Sequence, residues 1–275
     1  MRLKFTKMQA LGNDFVVIDG VSQSVMLTPA QLARLGDRRL GVGCDQILLV
    51  QPPADESADF TYRIFNADGS EVGQCGNGAR AMARFIARRG FSDKTRLRLR
   101  TPTTLMQVEL LDNNWVRVDL AVPEFAPARI PLRREASAER YVLQTEFGAI
   151  EGGAVSVGNP HFVIPVEDVD SAPVGDWGAA LTRHADFPEG VNVGFVQRLA
   201  PDHLRLRVFE RGVGETPACG SGACAAAVLM RHWHQTGERV MIDLPGGSLR
   251  IVWDEGRAVQ MEGPAEWVFE GEIEL

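Results

Sequence analysis

Two short stretches of the chain carry a thiol in the same setting: Cys75-Gly76-Asn77-Gly78 and Cys219-Gly220-Ser221-Gly222. After Cys75, the apolar residues Ala79, Met82, Ala83 and Ile86 fall at helical spacing, so a helix starts at this cysteine. After Cys219, the run from Ala223 to Met230 is apolar all round and predicts a helix buried on every side. Glycines at a helix start keep the backbone bare, so a ligand can approach the first unbonded N–H groups. Those groups and the helix dipole favour an anion such as a carboxylate. The same field stabilises a thiolate and gives the cysteine basicity near neutral pH. One element therefore offers a carboxylate clamp and an acid/base thiol. Two such elements facing each other could invert a carbon stereocentre. One thiolate removes a proton from one face, and the opposite thiol delivers a proton to the other.

The two elements belong to a repeat. Arg63, Phe65, Glu71, Cys75, Gly76, Gly78, Ala79, Ala81 and Ala83 recur as Arg207, Phe209, Glu215, Cys219, Gly220, Gly222, Ala223, Ala225 and Ala227. Every pair is offset by the same amount (207 − 63 = 144 and 219 − 75 = 144). About one or two such identities would arise by chance in a stretch this long at ordinary residue frequencies, so the repeat is a duplication. Upstream it is looser. Gly12-Asn13-Asp14-Phe15-Val16-Val17 resembles Gly158-Asn159-Pro160-His161-Phe162-Val163-Ile164 with one insertion, and Gln46 matches Asn192 as an amide on a strand ahead of each cysteine. Duplication would set the two thiols across a pseudo-twofold cleft.

The elements that must position these residues are mostly strands. Apolar and β-branched runs predict them at 3–8, 15–19, 47–50, 62–65, 97–101, 105–110 and 115–120. More are predicted at 161–166, 192–196, 204–209, 240–243, 249–253, 259–262 and 267–273. A short helix is predicted over 29–35, with Thr28 as N-cap and Pro29 at its first position. The prolines at 123, 127 and 131 mark a crossover between halves. The expected fold is α+β: two pseudo-symmetric duplicated domains, each a curved, mostly antiparallel sheet or barrel wrapped around a central apolar helix. The expected units are 1–118 with 265–275, carrying Cys75, and 119–264, carrying Cys219.

Composition excludes other classes. The net charge of −7 argues against a general nucleic-acid binder. No long apolar run follows the N-terminus, so a cytoplasmic chain with no membrane partner is expected. Four cysteines without a CxxC pair are neither a disulfide scaffold nor a redox motif, and Cys44 and Cys224 read as packing residues. His232-x-His234 lacks the cysteine spacing of a zinc site, so no metal is expected. Gly212-x-Gly214 is too short for a phosphate loop.

Four blocks carry a resemblance. The block Asn66 to Arg80, reading NADGSEVGQCGNGAR, resembles the first active-site signature of the diaminopimelate epimerase family. The block Glu210 to Gly222, reading ERGVGETPACGSG, is similar to its second. Met8 to Phe15 resembles its N-terminal strand and turn, and Gly158 to His161 its second-half turn. The resemblance runs through essentially the whole chain. It implies an epimerase that needs no cofactor and interconverts L,L- and meso-diaminopimelate, a small amino-acid substrate, in lysine and peptidoglycan precursor biosynthesis. It implies Cys75 and Cys219 as the catalytic pair. The implied substrate contacts are Asn13, Gln46, Asn66, Gly76, Asn77, Asn159, Asn192, Glu210, Arg211, Gly220 and Ser221, with His161 and Glu210 tuning the thiols. It also implies a homodimer. Some members place a tyrosine near the C-terminus at the dimer interface, where Phe269 stands here. The rival enzyme is a two-cysteine racemase acting on proline or hydroxyproline. The rival of another class is a thiol redox or amino-acid-binding protein.

Overall fold

Apolar runs in the first half of the chain become β1 (Arg2–Ala10), β2 (Asn13–Asp19), α1 (Pro29–Gly36), β3 (Gln46–Gln51), β4 (Phe60–Asn66), β5 (Glu71–Val72), α2 (Gly76–Arg88), β6 (Arg96–Arg100), β7 (Leu105–Leu110) and β8 (Trp115–Asp119). The second half gives β9 (Tyr141–Thr145), β10 (Gly148–Ser156), β11 (Pro160–Pro165), α3 (Val174–Leu181), β12 (Asn192–Ala200), β13 (His203–Glu210), β14 (Gly214–Thr216), α4 (Gly220–His232), β15 (Arg239–Leu244) and β16 (Gly247–Val252). β17 (Gln260–Pro264) and β18 (Glu266–Glu274) end the chain. This computed structural model describes residues 2–275. The chain separates into Met1–Asp119 with Glu262–Leu275, and Leu120–Met261. Those limits differ from the expected ones by one residue at the first crossing and by three at the second. Glu262 stands with the first unit because its buried carboxylate receives Arg117 of β8 at 2.7 Å.

In the first unit, β2 and β3 run parallel with Phe15 opposite Gln46. Both faces of this pair are buried, as parallel strands require. Val16, Ile18, Ile47 and Leu49 share a core with Leu32 and Leu35 of α1. Thr28 caps α1, as the sequence predicts, and the structure adds a reciprocal box to Gln31. α2 packs against β1, β2, β3, β7 and β8, so the strands curl around it. β18 extends the unit antiparallel to β1.

The second unit repeats this plan. β11 and β12 run parallel with His161 opposite Asn192. α4 packs against β10, β11, β12, β13, β15 and β16, and every residue from Gly222 to Met230 is buried. α3 covers β12, β13 and β14 beside a core that includes Phe162, Leu181 and Phe195. The hairpins agree to the residue: Ile64 pairs Val72 and Phe65 pairs Glu71, as Val208 pairs Thr216 and Phe209 pairs Glu215. Each hairpin carries the same fork. Arg63 Nε meets Glu71 at 2.8 Å, and Arg207 Nε meets Glu215 at 2.6 Å.

The register corrects the upstream alignment. Phe15 and His161 stand at equivalent places, as do Gln46 and Asn192, at a constant offset (161 − 15 = 146 and 192 − 46 = 146). No insertion lies in the Gly-Asn turns. The two residues are lost between β12 and β13 instead, where the connection is shorter than that between β3 and β4. Both turns are followed by apolar residues, and these can be matched one position out of phase without the strand partners.

Candidate active site

Each cysteine ends an extended approach and caps a helix. Cys75 has φ −151° and ψ 113°, and Cys219 has φ −115° and ψ 106°. The hairpins β4–β5 and β13–β14, locked by the two Arg-Glu forks, deliver the chain to these caps. The second glycine of each motif is demanded by packing. A Cβ on Gly78 would collide with the Tyr62 hydroxyl, and one on Gly222 would lie 3.0 Å from Val208 and 3.3 Å from the Cys219 sulfur. None of the four cysteines is in a disulfide.

The surroundings of the two sulfurs differ. Cys75 Sγ accepts the backbone N–H of Gly78 at 3.3 Å. Its carbonyl accepts a bond from the hydroxyl of fully buried Tyr62 at 3.5 Å. Burial, with a smaller contribution from Cys75, holds Tyr62 well above the usual phenol range, so it remains a neutral donor. Cys219 is 5% exposed, and its Sγ donates to Glu210 Oε2 at 3.2 Å. Burial and the Glu210 carboxylate push this thiol well above its ordinary range, so it holds its proton. The hydroxyl of Thr216 donates to the other oxygen of Glu210 and keeps the carboxylate turned. The counterparts of Glu210 and Thr216 in the first unit are Asn66 and Val72, neither of which is acidic.

The remaining predicted residues form hydrogen-bonded groups in each unit, one of which reaches the start of each helix. In the first unit, Asn77 follows Gly76 at the start of α2 and donates to Asn13 Oδ1 at 3.4 Å. Gln46 donates to Asn66 Oδ1 at 3.4 Å, and Asn66 donates to Ser70 at 3.1 Å. The buried Oε1 of Gln46 meets no donor within the described residues, a deficit that a ligand ammonium can fill. In the second unit, Ser221 follows Gly220 at the start of α4. Its hydroxyl accepts Asn159 Nδ2 at 3.3 Å and lies 3.7 Å from Cys219 Sγ. Asn159 Oδ1 lies 3.1 Å from His161 Nε2. His161 is 1% exposed, and burial, reinforced by the Arg211 charge, pushes it down to about 3, so the ring is neutral. His161 is thus linked to the cap through Asn159 and Ser221. Asn192 accepts the Arg211 backbone N–H at 2.9 Å, and the Arg211 guanidinium donates to the Glu189 carbonyl. Sequence reasoning passed over Tyr62, Thr216 and Asp45. Only Thr216 left a signal, as the residue that replaces Val72 directly after the matched Glu71 and Glu215.

This arrangement gives each unit a thiol at a helix N-terminus, bare glycine backbone for an anion, and amide groups for polar recognition. No group of His, Cys, Asp or Glu that could hold a metal ion occurs among the described residues. No helix among them is long and apolar enough to cross a membrane.

Solved structures share the fold over the full chain. A PhzF-family phenazine biosynthesis protein from Bacillus anthracis is 16% identical, covers 100% of both chains and has a TM-score of 0.71. A hydroxyproline epimerase from Agrobacterium vitis, solved with trans-4-hydroxy-L-proline, is 15% identical over 99% of this chain and 92% of that one, with a TM-score of 0.71. A methylitaconate-delta-isomerase is 16% identical over 99% of this chain and 95% of that one, with a TM-score of 0.65. The family model described as diaminopimelate epimerase matches residues 5–126 and 153–268, one stretch for each cysteine cap. With both signatures in place and both halves matched, the chain belongs to the diaminopimelate epimerase family and is, by class, an epimerase or isomerase.

Proposed function

We propose that this protein interconverts L,L- and meso-diaminopimelate by moving the α-proton through Cys75 and Cys219, in lysine and peptidoglycan precursor biosynthesis. The observation that supports this most is the unequal pair of caps: one sulfur accepts a backbone N–H, and the other donates to a carboxylate. In the direction that starts with Cys75 as thiolate, this sulfur removes the α-proton. Cys219, carrying its proton beside Glu210, delivers one to the opposite face. The reverse reaction exchanges the roles: the α4 N-terminus stabilises the Cys219 thiolate, while Glu210 beside it drives that sulfur to regain a proton. The N-terminal N–H groups around Gly76-Asn77 and Gly220-Ser221 hold the reacting carboxylate, which disperses the negative charge of the deprotonated carbon.

Asn13, Gln46, Asn66, Asn159, Asn192 and Arg211 recognise the amino-acid heads of the substrate, with Arg211 offering a planar fork to a carboxylate. Gln46 Oε1 accepts from an ammonium. The protein acts in the cytoplasm as a homodimer, and Phe269, half-exposed on β18 with its ring edge-on to Phe5, lies at that interface. The test is a substrate panel without added pyridoxal phosphate. Diaminopimelate should epimerise, while L-proline and trans-4-hydroxy-L-proline should not. Turnover of proline alone would remove the assigned substrate and leave the two-thiol chemistry standing.

A further inference from the structure

The first unit contains a charged network with no counterpart in the second. Lys7 Nζ meets Asp14 Oδ2 at 2.5 Å and also donates to the Gly43 carbonyl. Arg38 forks onto Asp14 at 2.6 and 3.0 Å and reaches Asp45 Oδ1 at 2.8 Å. Asp14 and Asp45 also accept each other's backbone N–H, at 2.9 and 3.1 Å. Burial alone would raise the Asp14 pKa, but the Arg38 and Lys7 hydrogen bonds outweigh it and hold the carboxyl well below the usual range. By strand register, the places of Lys7, Asp14 and Asp45 are taken in the second unit by Ala154, Pro160 and Val191. The same fold therefore forms without these charges.

The network ends on a residue of the site. Asp45 Oδ2 accepts Asn13 Nδ2 at 3.0 Å. An ionised carboxylate only accepts, so the amide must turn its NH2 toward Asp45. Its carbonyl oxygen then faces Asn77 at the start of α2. The second unit does the reverse, with Asn159 turning its NH2 toward Ser221.

We propose that Asp45, braced by Arg38 and Asp14, is a positioning residue that fixes the amide orientation of Asn13, so that the second lone pair of its carbonyl oxygen is offered to a substrate ammonium, where the second-unit equivalent Asn159 offers a donor. The proposal rests on Asn13 being a substrate contact. Asp45→Val, which copies the second unit, should raise KM for diaminopimelate about 10-fold, the worth of one such hydrogen bond, and move kcat less than about 3-fold. Asp45→Asn should raise KM by less, because its amide oxygen can still accept from Asn13. In an Asn13→Ala background, Asp45→Val should change KM by less than about 2-fold, since its route of action is gone. An unchanged KM in Asp45→Val, or an equal rise in both backgrounds, would overturn the proposal. If the wild type leaves diaminopimelate untouched, the assigned reaction fails separately. The orientation is then read without substrate from the side-chain NH2 signals of Asn13 by NMR, identified by their loss in Asn13→Ala. They should shift in Asp45→Asn, and signals that stay in place would refute the proposal.

Discussion

Cys75 and Cys219 sit on the same backbone and in different chemistry. Both cap a helix after an extended approach, both are preceded by an Arg-Glu fork, and both are followed by two glycines. Beside the sulfurs the change lies in a few side chains. Asn66 stands where the second unit has Glu210, Val72 where it has Thr216, and Phe15 where it has His161. Duplication conserved the geometry that a helix cap requires, because one misplaced atom at Gly78 or Gly222 would disturb the packing. It left the groups facing the sulfur free to diverge. Two copies of one element thus hold their thiols in unequal surroundings.

The largest expected effect comes from removing either thiol. Cys75→Ala and Cys219→Ala should each lower kcat for epimerisation by about 10³-fold or more, consistent with loss of one acid/base group from a two-group reaction. Steady-state rates checked against unchanged circular dichroism will show whether both sulfurs are needed. Next in size is Glu210→Gln, which makes the second cap resemble the first. A carboxylate beside a thiol disfavours the thiolate, so removing it should lower the Cys219 pKa. Alkylation of Cys219 by iodoacetamide should then begin at lower pH than in the wild type, while kcat falls about 10²-fold. An alkylation profile that does not move would show that Glu210 has no hold on the sulfur.

A stability experiment breaks the comparison at His161. Its folded pKa is pushed down to about 3, whereas an unfolded histidine titrates near 6.5. Below pH 6.5 the unfolded chain binds a proton that the folded chain refuses, so stability falls as pH drops and the loss continues toward pH 3. The slope from this one group is about 1.4 kcal/mol per pH unit. His161→Phe, which installs the residue found at position 15, should flatten the denaturation midpoint between pH 6 and 4. An unaltered slope would place the proton uptake elsewhere. The smallest effect is expected from Arg63→Gln and Arg207→Gln. Each breaks a partly exposed fork and should cost no more than about 1 kcal/mol in urea denaturation. Similar losses would match the shared geometry, and a clear inequality would show that one hairpin depends more on its fork.

The repeat from Arg63 to Ala83 was readable in the sequence because helix caps and close glycine contacts tolerate few alternatives. The buried helix after Cys219 was equally plain, since no other environment suits so many consecutive apolar residues. The hairpin of β9 and β10 escaped notice because Gly148, Gly152 and Gly153 give its second strand the composition of a loop. α3 was hidden by Pro173, Gly175 and Gly178, which weaken any helical signal. The upstream register is ambiguous in the sequence because apolar neighbours permit several alignments until the parallel partners are known. Asp45 was invisible for another reason. Its meaning depends on Lys7, Asp14 and Arg38 meeting in space, and no local pattern records that meeting.

The central claim, inversion by two unequal thiols, is tested most directly by isotope incorporation at low conversion. Protein free of pyridoxal phosphate is given L,L-diaminopimelate in heavy water, and both isomers are recovered after the first turnovers. Two thiols acting on opposite faces predict deuterium at the α-carbon of the meso product and protium in the remaining substrate. Product that retains protium, or full activity in either Cys75→Ala or Cys219→Ala, would contradict it.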